Sequence, residues 1–143
     1  MSVIAIGSDH AGYGLKSAVA GWLKEAGHEV LDLGTNGTDS VDYPDFGRAV
    51  GEAVASGKAE KGVVVCGSGI GIWIAANRVQ GASAALCMNG LMARLSRRHN
   101  DANILALGER LIGIETARDC LNEFLNTPFE GGRHQRRVDK LSA

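Results

Sequence analysis

A cysteine and three alternating glycines stand together in the segment Cys66-Gly-Ser-Gly-Ile-Gly71. The segment follows a short apolar run and precedes a helical pattern, so we expect a turn between a strand and a helix. Such glycines let several backbone N–H groups face one space, where a helix N-terminus adds partial positive charge. The loop therefore suits a phosphate or an oxyanion formed during a reaction, although a simple tight turn is the alternative.

Cys66 stands at the start of this loop. A helix N-terminus favours the thiolate form of a cysteine, which makes Cys66 a candidate general base or nucleophile. The alternative is a small buried apolar residue, since that is what most free cysteines are. Packing roles are expected for Cys87 and Cys120. The glycine spacing is not that of a dinucleotide-binding loop, which also would follow the first strand rather than the third.

Two further polar pairs could take part in chemistry. Asp9 and His10 follow the first apolar run, while His99 and Asn100 end a helical pattern. A carboxylate beside an imidazole can bind sugar hydroxyls or transfer protons. The alternatives are a local helix cap with a surface histidine, and a polar helix C-terminus at which His99 complements the dipole.

Basic residues cluster near the C-terminus, where three of them share one helical face. The spacing of Arg133, Arg137 and Lys140 is that of i, i+4 and i+7 on a helix. Arginine pairs bind phosphate through two parallel hydrogen bonds. The common alternative is a solvated basic terminus.

The elements that must position these residues alternate along the chain. Apolar runs predict strands at 3–6, 29–33, 63–65, 82–86 and 103–107. Helical spacing predicts helices at 15–26, 45–56, 91–99 and 112–125, with Asp45 as the cap of the second. A further short helix is predicted to follow the glycine loop and to end near residue 77. This alternation predicts an α/β domain with a parallel sheet covered by helices on both faces. In such sheets ligands bind beyond the carboxyl ends of the strands, which is where Asp9 and Cys66 fall.

Composition narrows the classes of function. The chain has 143 residues and a formal net charge of -1, which indicates a single domain (1–143) without a basic field for nucleic acid. Its apolar runs are too short to cross a membrane, and its first residues do not resemble a signal peptide. An odd number of cysteines, 3, indicates free thiols in a reducing compartment. We therefore expect a cytoplasmic protein that binds neither nucleic acid nor membrane.

Taken together, these segments resemble the RpiB/LacAB family of sugar-phosphate isomerases, and the B-type ribose-5-phosphate isomerases in particular. The matching segments, in the family's order, are 7–12, 42–45, 66–71, 74–77, 99–103, 105–108 and 127–134. The resemblance implies a Rossmann-like three-layer α/β/α domain with a five-stranded parallel sheet. It also implies a homodimer, sometimes paired into a tetramer, with active sites shared between subunits and segment 127–143 packed on the partner.

The implied reaction needs no metal or organic cofactor. The sugar ring opens, and one proton moves between C1 and C2 through a cis-enediolate, which interconverts D-ribose 5-phosphate and D-ribulose 5-phosphate. The resemblance assigns the carbon-bound proton to Cys66, since one branch of the family uses a glutamate where this chain has Ile72, which cannot accept a proton. Ser68 would move the proton between the two oxygens, and His99 would assist ring opening.

The remaining roles that the resemblance implies concern binding. Asp9 would lie near the ring oxygen and hydroxyls, Asn100 would hold an enediolate oxygen, and Tyr43 would pack near the sugar. The anion hole would be formed by backbone amides of the loop, those of Gly67, Gly69, Ile70 and Gly71 among them. The phosphate would be bound by His10, Arg110, Arg133 and Arg137.

The chain departs from the family's pattern at Ser83 and across 88–93, which bears on the choice of sugar. Erythrose 4-phosphate, allose 6-phosphate and galactose 6-phosphate are the alternative substrates for the same chemistry. A non-catalytic sugar-phosphate-binding module on the same fold is the second alternative.

Overall fold

The computed structural model describes residues 1–142, in which five parallel strands alternate with helices. The strands are β1 (Val3–Ser8), β2 (Glu29–Asp32), β3 (Lys61–Cys66), β4 (Ala84–Leu86) and β5 (Ile104–Gly108). The helices are α1 (Tyr13–Glu25), α2 (Tyr43–Ala55), α3 (Ile70–Asn77), α4 (Gly90–Asn100), α5 (Ile114–Asn126) and α6 (Arg133–Leu141). A single 3-10 turn, His10–Gly12, joins β1 to α1.

The sheet has the order β2-β1-β3-β5-β4, so β3 lies at its centre. Successive side chains of β3 point to opposite faces, and both faces are buried because helices cover both. Val63 and Val65 join a core with α1 and α5, while Val64 joins a second core with α2 and α3. The predicted three-layer α/β/α architecture is thereby confirmed.

Two glycines of α2 allow it to pack closely on α3. A β-carbon at Gly47 would lie 2.8 Å from the carbonyl oxygen of Ile72, and one at Gly51 would lie 3.2 Å from that of Ala76. Any larger side chain would push the helices apart. This close packing fixes α3, and with it the start of α3 at the glycine loop.

The start of α2 differs from the prediction. The prediction of Asp45 as the cap of α2 is wrong, because the helix begins at Tyr43 with Asp42 at the N-cap position, although Asp42 makes no capping hydrogen bond through its side chain. Pro44 explains the early start, since its fixed φ suits the first turn of a helix. The basic segment forms α6, in agreement with the helical spacing of its arginines.

Helix α6 packs against α4 of the same chain. Its His134 is buried and stacks on His99. Ala143, which ends the segment predicted to pack on a partner, lies outside the described residues. Among residues 1–142, the helices are all too short or too polar to cross a membrane.

Candidate active site

A cleft of about 560 Å³ opens at the carboxyl ends of β1, β3 and β5. These ends lie side by side because Ser8 is paired with Val65 and Cys66 with Gly108. The cleft is lined by Asp9, His10, Ala11, Tyr43, Cys66, Gly67, Ser68, Ile70, Gly71, Ile74, Arg110 and Leu111. Most of the residues singled out in the sequence thus share one cavity.

The glycine loop that joins β3 to α3 is held by the segment that follows β5. The N–H of Glu109 donates to the carbonyl of Cys66 over 3.0 Å, and the N–H of Arg110 donates to that of Gly67 over 2.9 Å. Gly69 has a φ of 76°, and a β-carbon there would lie 2.9 Å from the carbonyl carbon of Leu107. Only glycine fits this position, both for its conformation and for its contact.

The N-terminus of α3 follows the loop directly, and the first N–H groups of a helix have no partner within the helix. The N–H of Ile70 is an exception, because it donates to Oγ of Ser68 over 3.2 Å. This bond holds the hydroxyl of Ser68 beside the helix N-terminus. The arrangement can stabilise an anion and can also transfer a proton through the hydroxyl.

Asp9 and His10 are each fixed by one backbone hydrogen bond. Oδ1 of Asp9, a residue with 6% exposure, accepts from the N–H of Gly12 over 3.1 Å. Nδ1 of His10 accepts from the N–H of Val41 over 3.1 Å. The ring proton of neutral His10 is therefore on Nε2, so Nε2–H is free to donate to a ligand.

Tyr43 and Arg110 close two sides of the cleft. The ring of Tyr43 lies against Gly71, where a β-carbon would overlap with it. The guanidinium of Arg110 lies beside Gly67, with Nη1 3.3 Å from the position of a β-carbon there. Both glycines thus admit a large side chain to the cleft, one aromatic and one cationic.

The three cysteines differ in their surroundings. Cys66 lines the cleft. Burial raises the pKa of Cys87 to about 12 and that of Cys120 to about 11. Both of these thiols lie in the core on the α5 side of the sheet, which confirms the packing roles predicted for them.

Five of the predicted site residues do not line the cleft: Gly69, which lies within the loop itself, and His99, Asn100, Arg133 and Arg137. His99 and Asn100 end α4, just before β5 begins, and so belong to the amino edge of the sheet. The carbonyl of Asn103 accepts from the N–H of Gly62, at the start of β3. Cys66 lies at the other end of that strand, about 13 Å farther along at 3.3 Å per residue.

A buried arginine that the sequence reasoning missed organises this second group. Arg97, with 7% exposure, donates from Nη1 to Oδ1 of Asp101 over 2.9 Å and to the carbonyl of Ala102 over 2.6 Å. Its Nε donates to the carbonyl of Thr127 over 3.2 Å. Arg97 thereby ties the end of α4 to the segment that leads into α6.

The sequence reasoning also missed Ala11, Ile74 and Leu111 as lining residues. Ile70 and Ile74 are exposed by 45% and 44%, although both are apolar. Their spacing of one helical turn could have indicated a shared exposed face.

The chain is similar to known proteins over nearly its whole length. Residues 4–141 match the family model described as Ribose/Galactose Isomerase. The chain is 44% identical over 143 residues to the ribose-5-phosphate isomerase B of Escherichia coli (strain K12), covering 100% of this chain and 96% of the relative.

Solved structures give the same result. The ribose-5-phosphate isomerase B of Clostridium thermocellum is 57% identical, with a TM-score of 0.97 over 98% of this chain and 95% of that one. The enzyme of that name from Mycoplasma genitalium, solved with bound ribulose-5-phosphate, is 40% identical, with a TM-score of 0.94 over 98% of this chain and 93% of that one. On the match of nearly its whole length and on the shared fold, this chain belongs to the ribose/galactose isomerase family.

Proposed function

We propose that this chain is a ribose-5-phosphate isomerase, which interconverts D-ribose 5-phosphate and D-ribulose 5-phosphate. The observation that carries the proposal is the cleft in which Cys66, Ser68 and the glycine loop face Asp9 and His10. Such a site offers a base, a hydroxyl and an anion hole within one cavity. Full-length similarity to enzymes named ribose-5-phosphate isomerase B favours ribose over the other sugar phosphates.

The reaction moves one proton and leaves the redox state of the whole molecule unchanged. The thiolate of Cys66 removes the proton from C2 of the open-chain aldose, and the electron pair of that bond forms the enediolate. The loop amides stabilise the charge that develops on oxygen. The hydroxyl of Ser68 carries a proton between the two oxygens, and the thiol of Cys66 then returns its proton to C1.

Binding of the phosphate orients the sugar without taking part in the chemistry. His10, through Nε2–H, and Arg110 supply this cleft's own donors. Because the phosphate does not react, its binding energy is used to hold the reacting carbons beside the base. Asp9 has one carboxylate oxygen engaged by Gly12, which leaves Oδ2 to accept a hydrogen bond from a sugar hydroxyl.

A second copy of the chain completes the site. His99 and Asn100 lie at the amino edge of the sheet, and one domain cannot bring them to Cys66 at the carboxyl edge. We therefore assign to a partner subunit the residues that assist ring opening and hold an enediolate oxygen. In this homodimer, or dimer of dimers, residues 127–142 of the basic segment pack on the partner and bring Arg133 and Arg137 to its phosphate.

Mixing two inactive variants tests the shared site. Cys66→Ala and His99→Ala each remove the reacting group that one of the two subunits contributes to a site. A mixed dimer then holds one intact site and one site with both changes. Equal amounts, unfolded and refolded together, should recover about a quarter of the wild-type rate, because half of the dimers are mixed and each has one working site. No recovery, with mixed dimers verified by mass spectrometry, would show that each chain forms its site alone.

Turnover of four-, five- and six-carbon aldose and ketose phosphates, in the presence of EDTA, tests the function itself. We expect the highest kcat/KM with ribose 5-phosphate and ribulose 5-phosphate. A preference for a four- or six-carbon phosphate would keep the chemistry and change the substrate. Thermal stabilisation by ribose 5-phosphate without turnover would identify a binding module.

The free thiols Cys66, Cys87 and Cys120 support a cytoplasmic location, since a reducing compartment preserves them.

A further inference from the structure

Three potential metal ligands meet where α6 packs against the end of α4. His99, Glu130 and His134 each offer one ligand atom, and these atoms all lie within 4.8 Å of one another. They come from the last turn of α4, the loop before α6 and the first turn of α6. The group lies at the amino edge of the sheet, away from the cleft that contains Cys66.

His134 carries an unsatisfied polar atom in this group. The residue is only 7% exposed, and its Nε2 is buried without a hydrogen-bond partner. Oε1 of Glu130 lies 3.4 Å from Nε2, near enough for an ion pair yet not aligned as a hydrogen bond. A buried polar atom without a partner costs stability, which points to a ligand that this structure does not contain.

The other two members lie close enough to share such a ligand once one ring rotates. The ring of His99 stacks on that of His134, with centroids 4.4 Å apart and planes inclined by 16°. Nearly parallel imidazoles direct their nitrogen lone pairs alongside each other, so the ring of His99 must leave the stack before both nitrogens can bind one ion. The N–H of Glu130 donates to the carbonyl of Arg98, which holds the loop in place. Oε2 of Glu130 faces Nε of Arg98 at 3.9 Å, which leaves Oε1 on the side of the histidines.

We propose that His99, Glu130 and His134 bind a divalent transition-metal ion, with Zn²⁺ as the ion that the ligand set suits best. Two imidazoles and one carboxylate, with a fourth position open, form a common zinc set. Ligand atoms around a tetrahedral zinc lie about 3.4 Å apart, so the widest separation in the group must close by up to about 1.4 Å. The half-exposed side chain of Glu130 and the partly exposed ring of His99 can rotate to do so.

The charge around the site sets the kind of binding. Arg98 competes with a metal ion for Glu130. Arg97 lies on α4 and Arg133 lies on α6, so the positive charge around the group opposes the binding of a metal cation. The site should therefore bind the metal reversibly rather than as a permanent structural ion. Because the proposed function gives His99 a part in ring opening, bound metal would withdraw that ring and inhibit the enzyme.

Titration of the EDTA-treated full-length chain with Co²⁺ tests the site without reference to activity. We expect one tetrahedral Co²⁺ per chain in the visible spectrum, displaced by Zn²⁺. His134→Phe keeps a ring to stack on His99 but lacks the nitrogen, and Glu130→Gln keeps the size but lacks the charge. Each should weaken binding at least about tenfold, the usual effect of losing a metal-site contact. His28→Phe, a change distant from the site, is the matched control and should bind as wild type.

Cys66 is the rival ligand, since a thiolate also binds zinc. Cys66→Ser should leave the Co²⁺ affinity unchanged, and loss of binding in that variant would place the metal in the cleft and overturn the proposal. No binding by the wild-type chain, or equal binding by His134→Phe, would overturn it as well. Circular dichroism verifies that each variant is folded. If His134→Phe does not fold, Glu130→Gln still tests the site.

Inhibition is measured separately. Zn²⁺ should lower the isomerase rate in proportion to site occupancy, EDTA should restore it, and Glu130→Gln should resist it at the same metal concentration. If the chain has no isomerase activity, the proposed function fails while the Co²⁺ titration still decides the metal site. If the chain is active and binds metal without inhibition, the regulatory part of the proposal is wrong.

Discussion

The backbone N–H of Val41 donates to Nδ1 of His10 over 3.1 Å and thereby fixes which face of this imidazole meets a ligand. The hydrogen bond joins the loop before α2 to the turn after β1. It leaves Nε2–H as the donor on the side of the cleft. The loop thus acts on the site by orienting the ring of His10, not by contacting the substrate directly.

His10→Ala should raise KM for ribose 5-phosphate about tenfold or more with a smaller change in kcat, since the loss of a hydrogen bond to a charged group weakens binding. Steady-state kinetics with wild type and variant measure this. His28→Ala is the matched control, because Nδ1 of His28 also accepts a backbone N–H, that of Ser2, at a distant place. A fall in kcat with unchanged KM would contradict a phosphate-anchoring role for His10.

Cys66→Ala should lower kcat by at least about 10³-fold, because the variant lacks the group that removes the carbon-bound proton. Calorimetry should still detect binding of ribose 5-phosphate, since the phosphate donors remain. Cys120→Ala, a change of a core thiol outside the cleft, should keep the wild-type KM. Retention of most of the rate by Cys66→Ala would show that another group moves the proton.

Gly71→Ala should impair catalysis without unfolding the protein. Its β-carbon overlaps with the ring of Tyr43, which must move because Gly71 lies in α3. We expect a higher KM and an unfolding free energy within about 2 kcal/mol of wild type. Gly21→Ala is the control, since a β-carbon there meets nothing within 4 Å and removes flexibility from α1, which should stabilise the fold by about 0.5–1 kcal/mol. Equal kinetics for Gly71→Ala and wild type would argue against a role for the position of Tyr43.

Alkaline pH should destabilise the protein through its core thiols. In the unfolded chain Cys87 and Cys120 ionise near the ordinary thiol pKa of 9.0, whereas burial holds their pKa values at about 12 and about 11 in the fold. Their contribution to stability is complete below pH 9 and is lost as the pH rises toward the folded values. Between pH 8 and pH 10 the loss is about 1 kcal/mol for each thiol.

Urea unfolding at the two pH values measures this loss. Cys87→Ala should show a smaller loss than wild type over the same interval, even though the variant is less stable at pH 8. An equal loss in both proteins would assign the alkaline destabilisation to other groups.

Arg97→Met should destabilise the fold by about 3 kcal/mol, because the carbonyls of Ala102 and Thr127 would lose a buried charged donor. Arg136→Met, a change of an exposed arginine on α6, should stay within about 0.5 kcal/mol of wild type. Chemical denaturation measures both. Similar small losses for the two variants would show that Arg97 does not hold the segment before α6.

The features that sequence reasoning predicted are local ones. Apolar runs are enough to place the strands, and the glycines around Cys66 indicate a strand-to-helix turn. Asp9 and Cys66 follow their strands directly, so their meeting at one edge follows from parallel pairing. The cap of α2 was misplaced because Asp45 and Asp42 are both acceptable caps, and only the position of Pro44 separates them.

What could not be predicted depends on contacts between distant segments. Arg97 reads as one of several exposed arginines of a polar helix, and its burial depends on Thr127, which is 30 residues away. The stacking of His134 on His99 likewise requires α6 to fold back on α4. No periodicity within either helix indicates such a pairing.

The separation of Cys66 from His99 along the length of β3 carries a consequence for the enzyme at low abundance. If neither chain holds a full set of reacting groups, the rate per chain depends on how much protein is present. Dilution below the dissociation constant of the dimer should lower the specific activity in step with the fraction of paired chains. Expression level would then set both how many catalysts a cell contains and how well each of them works.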